Sequence, residues 1–422
     1  MATQLDRSWN QLFEKYRILE AIESNGNFII SADQIREFRE PRLMTKFDHK
    51  ESLPKIFADN ELSILPISRN KYLISNHKIF NELKEPNNII EKIPFPTNIQ
   101  SIIPEQINSE TIALNCSYLS GMLTDFLEDE EIYPTVSGRM SSKKFKFEVL
   151  NTKTNLIDNI DVENSQIEID GAYEGVSYLS LIEAKREIAS DFLIRQLYYP
   201  YRLWSEKVTK KIKLIYLIYS NDIFSFFEYQ FQDKNNYNSL VLIKQKNYSF
   251  EDTTITIKDI EDILYSVKTI EEPEVPFPQA DSIKRVINLC ELLDDKEMTR
   301  SEIVEEYQFH SRQAEYYANA GKYLSIFEKG NSLVKLTDLG KSIMKKKYVN
   351  RQLGLVKQML EHKIFNTILR LTFERGKVLD IKEIAFEMKK AGLYGINSDS
   401  TFERRAQTVK KWVDWITGLI EE

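Results

Sequence analysis

Asp170, Glu183 and Lys185 stand where apolar side chains belong. The stretch IEIDGAYEGVSYLSLIEAKREIASDF, residues 167–192, reads as two apolar strands joined by a turn at Tyr173-Glu174-Gly175, yet each strand carries charge. A carboxylate buried without a partner costs several kcal/mol, so these three groups need compensation. Side chains alternate along a strand, so Leu181, Glu183 and Lys185 share one face while Ile182 and Ala184 take the other. A turn near Gly175 brings Asp170 to the same end as Glu183. Two adjacent carboxylates repel and raise each other's pKa unless a divalent cation sits between them. Mg²⁺ suits the pair: it takes oxygen ligands, binds through one or two carboxylates, and keeps waters and substrate phosphate oxygens in its other positions. It acidifies bound water and offsets the charge that develops on a phosphate under in-line attack. Lys185 then supplies a point charge to that water or to the phosphate. The competing interpretation is a salt-bridged strand end.

The acid-x-Lys tripeptide is not distinctive alone. Glu82-Leu83-Lys84, Glu361-His362-Lys363 and Asp380-Ile381-Lys382 share it and read as helix surface. Glu183-Ala184-Lys185 differs because it ends an apolar strand, follows an acid-bearing strand, and precedes an amphipathic helix.

The elements that position these residues follow from pattern. Residues 109–130 suit one helix, with Ile112, Cys116, Leu119, Met122, Leu123 and Phe126 on one face. FKFEVLN (145–151) alternates as a strand. ASDFLIRQLYYPYRLWSEKV suits a helix that Pro200 should kink or end. KIKLIYLIYS (211–220) is the nearly continuous apolar run of a strand buried on both faces, and IFSFFEYQF and NSLVLIKQK add further strands. The predicted fold class of this core is α/β (α+β), a mixed sheet flanked by helices.

Around that core, composition divides the chain into a module at 1–105, the core at 106–272, and helical domains at 279–350 and 351–422, with the Pro-rich EEPEVPFP (271–278) as linker. Trp9, Leu12, Phe13, Tyr16, Leu19 and Ile22 mark a first helix; Ser31 is a candidate cap for a second over 31–38. LSILPISRNKYLISN then reads as two strands about Ser68-Arg69-Asn70. Helix, helix, hairpin is a winged-helix order. SIKRVINLCELLDD, TRSEIVEEY (Thr299 and Glu302 in capping-box spacing) and SRQAEYYANAGKYLSIF repeat it, and the last helix, with Ser400 as its expected N-cap, presents Arg404, Arg405, Lys410 and Lys411. Helix-turn-helix units place their second helix in the major groove.

The whole chain sets bounds. It has 422 residues, 42% hydrophobic and 29% charged, with a net charge of −7. That charge argues against a protein that coats nucleic acid indiscriminately, although GRMSSKKFKF (138–147), KVTKKIK (207–213), KSIMKKKYVNR (341–351) and ERRAQTVKKW (403–412) are basic clusters. No apolar run approaches the roughly 18 residues of a membrane span, and no basic-then-apolar leader opens the sequence. Cys116 and Cys290 lack CxxC spacing, and His49, His77, His310 and His362 are scattered, so zinc is not expected. The expected compartment is the cytoplasm.

Ile169-Asp170 with Glu183-Ala184-Lys185 resembles the motif of the PD-(D/E)xK nucleases, with Ile169 where the family's proline usually stands. The resemblance covers a quarter to a third of the chain. It implies a restriction-endonuclease-like mixed sheet, Asp170 and Glu183 as Mg²⁺ ligands, the Ala184 backbone carbonyl as a further ligand, and Lys185 as the catalytic lysine. A glutamate from the first helix joins the site in some members; Glu128 and Glu130 are the candidates. Many members have Gln-x-x-x-Tyr on the following helix; here Gln196 is present but Pro200 replaces the tyrosine, leaving Gln196 as a donor behind the ligands. Together with winged-helix-like modules, and without a GKS/T phosphate loop or a methyltransferase motif, the chain looks like a type II restriction endonuclease. It would be independent of ATP, act on double-stranded DNA, leave 5′-phosphates, and cut as a homodimer, because a palindrome needs two sites about a two-fold axis. A repair, recombination or modification-dependent nuclease of the same fold, and a non-catalytic winged-helix regulator, are the alternatives.

Overall fold

A computed structural model describes residues 3–306, 311–330, 333–396 and 398–421. The chain falls into two compact units: residues 1–87, 95–219 and 224–248 form the first, and residues 88–94, 220–223 and 249–422 the second.

The first unit opens with helices α1 (Gln4–Tyr16) and α2 (Ile18–Asn25), strand β1 (Asn27–Ser31), and the short helices α3 (Ala32–Arg36), α4 (Pro41–Thr45) and α5 (Lys55–Asp59). The amphipathic spacing in α1 works as expected: Trp9, Leu12 and Phe13 are buried together with Phe57. Ser31 caps α3 through the Gln34 N–H, and Gln34 returns the bond. Strands β2 (Ser63–Ser68) and β3 (Lys71–Ser75) form the hairpin, and β1 lies on the other side of β3. Strand β4 (Phe80–Glu82) follows, so Glu82 lies on a strand and not on the expected helix surface. The short β5 (Ile90–Lys92) groups with the second unit.

The expected helix over 109–130 is two: α6 (Glu110–Leu119) and α7 (Met122–Leu127). Gly121 between them has φ +88. That left-handed conformation suits glycine and cannot continue a right-handed helix. Then come β6 (Tyr133–Ser141), β7 (Lys144–Leu150), β8 (Ile157–Glu163), β9 (Gln166–Glu174) and β10 (Tyr178–Lys185). Residues 191–193, expected to open a helix, instead form β11 (Asp191–Leu193), which pairs with β4. Helix α8 (Arg195–Trp204) runs through Pro200 and does not end there. Proline removes one donor from the helix, whereas Leu197, Tyr198, Tyr199 and Leu203 of the same helix are buried in the main core.

Strands β12 (Lys211–Ser220), β13 (Ile223–Phe231) and β14 (Leu240–Ser249) complete the unit. Its main sheet runs β14-β13-β12-β10-β9-β6. Strand β9 is antiparallel to β10, and β10 is parallel to β12, with α8 in the crossover. The sheet is therefore mixed and carries helices, an α+β architecture. Strands β7 and β8 pair with each other as a separate hairpin.

The second unit continues with α9 (Ile257–Ser266), α10 (Ile283–Asp295), β15 (Met298–Thr299), α11 (Arg300–Glu306), α12 (Ser311–Tyr323), β16 (Phe327–Lys329), β17 (Leu333–Leu336) and α13 (Asp338–Met344). The three strands form one sheet in the order β15-β17-β16. Helices α14 (Tyr348–Leu360), α15 (Lys363–Arg375), α16 (Ile381–Lys390) and α17 (Asp399–Gly418) follow, without a strand among the described residues. The N-cap of α17 is Ser398 and not Ser400, because the Ser398 hydroxyl accepts from the Thr401 N–H at 3.3 Å. Lys410 and Lys411 are held by Asp414 and Asp281 at 2.7 and 2.8 Å. Both cysteines are buried free thiols; His310 lies outside the described residues.

Candidate active site

The antiparallel pairing of β9 with β10 sets Ile182 opposite Gly171. The ladder ends at that pair, and Asp170 and Glu183 are the next residues on the two strands. Asp170 Oδ2 accepts the Ala184 N–H at 2.9 Å. Glu183 Oε1 lies 2.8 Å from Lys185 Nζ and accepts from Gln196 Nε2 at 2.7 Å. The structure thus brings Asp170, Glu183, Ala184, Lys185 and Gln196 together. Glu128 and Glu130 stand apart from them. Glu128 caps the C-terminus of α7 and binds Lys244 at 2.7 Å. Asp129, between them, braces the β9–β10 turn instead, its carboxylate accepting from the Ser177 and Tyr178 N–H groups at 3.1 and 2.9 Å. The turn lies at residues 175–177, slightly beyond its expected place, because β9 continues through Glu174.

Three contributors were not apparent from the sequence. Asp48 Oδ2 lies 3.7 Å from Lys185 Nζ. His49 Nδ1 lies 2.5 Å from the Asp191 carbonyl oxygen, and His49 Nε2 lies 3.9 Å from Glu187 Oε1. Glu110, in the first turn of α6, interacts electrostatically with Lys185, Glu187 and Asp170. Helix α6 packs on β9 and β10, which explains why Glu110, and not a residue near 130, faces the cluster.

The cluster is dry. Glu183 is 8% exposed, Lys185 7%, and Asp48 and His49 3% each. Burial pushes the Glu183 carboxyl up to about 8 against the pull of Lys185, with Asp170 and Asp48 adding repulsion. Burial also raises Asp170, and it raises Glu110 to about 7. Asp48 goes the other way: burial opposes ionisation, but Lys185, Lys46, His49 and Arg195 outweigh it and hold the carboxyl low. Burial likewise opposes charge on Lys185, but Glu183 and Asp48 outweigh it and keep the ammonium protonated. His49 is raised to about 9, since Asp191 and Glu187 outweigh its burial.

Asp170, Glu183 and Glu110 thus share a region where acid outnumbers base and burial opposes the charge on each carboxyl, while the Lys185 ammonium favours it. Hard oxygen donors under mutual repulsion fit a divalent cation. Among the described residues, no group of three or more His, Cys, Asp or Glu side chains is arranged to hold an ion. Asp170 and Glu183 are the carboxylates that could hold a Mg²⁺ ion, which binds through one or two carboxylates and keeps waters in its remaining positions.

Family models match three stretches of the chain, each described only as a domain of unknown function: DUF6996 over residues 6–74, DUF6997 over 75–249 and DUF7226 over 285–421. No curated protein and no solved structure matches. The first boundary separates Asp48 and His49 from the rest of the cluster, so residues of two such domains meet at Lys185.

Proposed function

We propose that this chain is a Mg²⁺-dependent DNA nuclease with a restriction-endonuclease-like core, most similar in organisation to a type II restriction endonuclease. The observation that carries this reading is the hairpin β9–β10, which sets Asp170 beside Glu183 and Lys185, followed by α8 and the parallel strand β12. Acid-bearing strand, acid-x-Lys strand, helix and parallel strand is the order that the PD-(D/E)xK resemblance implies. Asp170 and Glu183 would hold the ion, with the Ala184 carbonyl as a further oxygen. When bound, Mg²⁺ acidifies a water and offsets the charge on the scissile phosphate.

The chain's own groups do the rest. Gln196 orients the Glu183 carboxylate by donating to Oε1. Lys185, kept charged by Glu183 and Asp48, steadies a phosphate oxygen or the attacking water. Attack of the water on phosphorus with breakage of the P–O3′ bond would release a 3′-hydroxyl and leave a 5′-phosphate. In the second unit, the order helix, strand, helix, helix, strand, strand over residues 283–336 is that of a winged helix and supports a DNA-reading role. We assign double-stranded DNA as partner, a homodimer as the cutting form, no requirement for ATP, and the cytoplasm as the place of action. No helix among the described residues is long and apolar enough to cross a membrane.

The burial of Lys185 favours one other reading, a structural ion cluster in a non-catalytic DNA-binding regulator. Incubation of the purified protein with unmethylated phage DNA decides between them. Discrete bands in Mg²⁺, absent in EDTA and absent for Glu183→Ala, are the expected result. Intact unmodified, methylated and branched DNA in every lane would leave the regulator.

A further inference from the structure

A groove of about 680 Å³ lies between the β2–β3 turn and the β7–β8 hairpin. Arg69 and Lys71 line it from one side and Lys144 and Lys146 from the other, against only Asp161 and Glu163. All four cations are exposed. An excess of positive charge in one concave place contrasts with the net charge of −7 of the whole chain. The one ion pair within it, Lys146 with Asp161 at 3.0 Å, is exposed on both sides and so exchanges readily for a phosphate.

The groove is built rather than incidental. Its turn is tied down at Pro66, whose carbonyl oxygen accepts from Tyr199 Oη at 3.0 Å and Ser165 Oγ at 3.4 Å. Tyr199 lies on α8, three residues after Gln196, which donates to Glu183 at 2.7 Å. Residues three apart on a helix are neighbours, with Cβ atoms roughly 5–6 Å apart. The candidate site and the anchor of the groove therefore hang from adjacent positions of one helix. Duplex DNA carries one negative charge per about 1.7 Å of axis, so a duplex lying in the groove would offer phosphates to several of these cations at once.

We propose that this groove binds the phosphodiester backbone of double-stranded DNA, with Arg69, Lys71, Lys144 and Lys146 as phosphate contacts that position the duplex for the site at Asp170 and Glu183. The choice of DNA over another polyanion rests on the nuclease reading. Phosphate contacts fix register without reading sequence, so this surface sets affinity and leaves base choice to other elements.

The test is duplex binding by the full-length protein in EDTA, read by fluorescence anisotropy of a labelled random-sequence duplex over a series of salt concentrations. For Arg69→Ala/Lys144→Ala we expect affinity to fall about tenfold or more and the salt dependence to flatten by roughly one unit of slope per contact removed. Arg69→Lys/Lys144→Arg, which keeps the charges, should retain both, and Lys153→Ala serves as the surface control. Unchanged affinity and slope in the alanine variant, no duplex binding by the wild type, or displacement by polyglutamate as readily as by DNA would each overturn the proposal. Cleavage is scored separately in Mg²⁺. Binding through the groove without cleavage would sink the nuclease reading alone, and cleavage with an unaltered salt slope would sink the groove alone.

Discussion

Asp48 Oδ2 lies 3.7 Å from Lys185 Nζ, so a residue of the segment matched by one family model completes the charge environment of a lysine in another. Lys185 is held by two carboxylates, Glu183 at 2.8 Å and Asp48 at 3.7 Å. Removing one partner of a buried ion pair costs about 3 kcal/mol at the low end of such cases. The low end applies because Glu183 remains. Asp48→Asn should lower the urea unfolding free energy by that order; a loss below about 0.5 kcal/mol, the usual range of surface substitutions, would show that Asp48 does not hold Lys185.

His49 gives the cluster a pH signature. Its ordinary pKa lies near 6.5 and its folded value at about 9. A raised folded pKa means that the stabilisation is fully present below about 6.5 and is lost as pH rises through 9. The upper bound is roughly 3 kcal/mol, since each tenfold gain in proton affinity is worth about 1.4 kcal/mol. The stability difference between wild type and His49→Gln, measured by urea unfolding at acid and alkaline ends of this window, should therefore shrink toward high pH. A constant difference would mean that His49 is not charged in the folded state.

Much of this site was legible because strands have a period of two. Glu183 and Lys185 share a face by spacing alone, and the turn signal at Gly175 sets Asp170 against them. The strands over 211–220 and 223–231 were equally plain, being apolar runs of strand length. Asp48 and His49 were not, since they sit in an irregular stretch after α4 with no periodic pattern, and only tertiary packing brings them to β10. Glu110 follows an N-cap, Ser109, and an acid in the first turn is as readily explained by the helix dipole. The break at Gly121 was signalled by Ser120-Gly121 but outweighed by a helical apolar stripe on both sides of it. Pro200 misled in the opposite direction: buried aromatic packing holds α8 through a residue that local propensity would use to end it.

The hairpin that carries the site depends on a close approach. A Cβ at Gly175 would lie 2.3 Å from Asp129 Oδ2, the carboxylate that braces the turn. Gly175→Ala should therefore destabilise by about 1–3 kcal/mol through overpacking, and Asp129→Ala by about 1–3 kcal/mol through loss of the carboxylate's charge-assisted bonds to the Ser177 and Tyr178 N–H groups. Because both changes act on one contact, a double-mutant cycle by thermal unfolding should give a coupling of at least about 0.5 kcal/mol. Simple additivity would show that the turn is braced elsewhere.

Gln196 donates to Glu183, so under the proposed function, with Glu183 as a Mg²⁺ ligand, its loss should act on metal affinity. Partners behind a metal ligand typically contribute roughly 10–100-fold. Cleavage by Gln196→Ala should need about that much more Mg²⁺ while reaching a maximal rate close to that of the wild type. An unchanged Mg²⁺ midpoint would place Gln196 outside the machinery.

The most direct measurement of the central claim is the single-turnover conversion of supercoiled plasmid in Mg²⁺ by the wild type beside Lys185→Ala, with folding of both checked by circular dichroism. The wild type should cleave, and the variant should lose two or more orders of magnitude in rate, the size expected when a preorganised charge is removed from a developing anion. Equal rates in the two proteins, or no cleavage by a folded wild type, would contradict that claim.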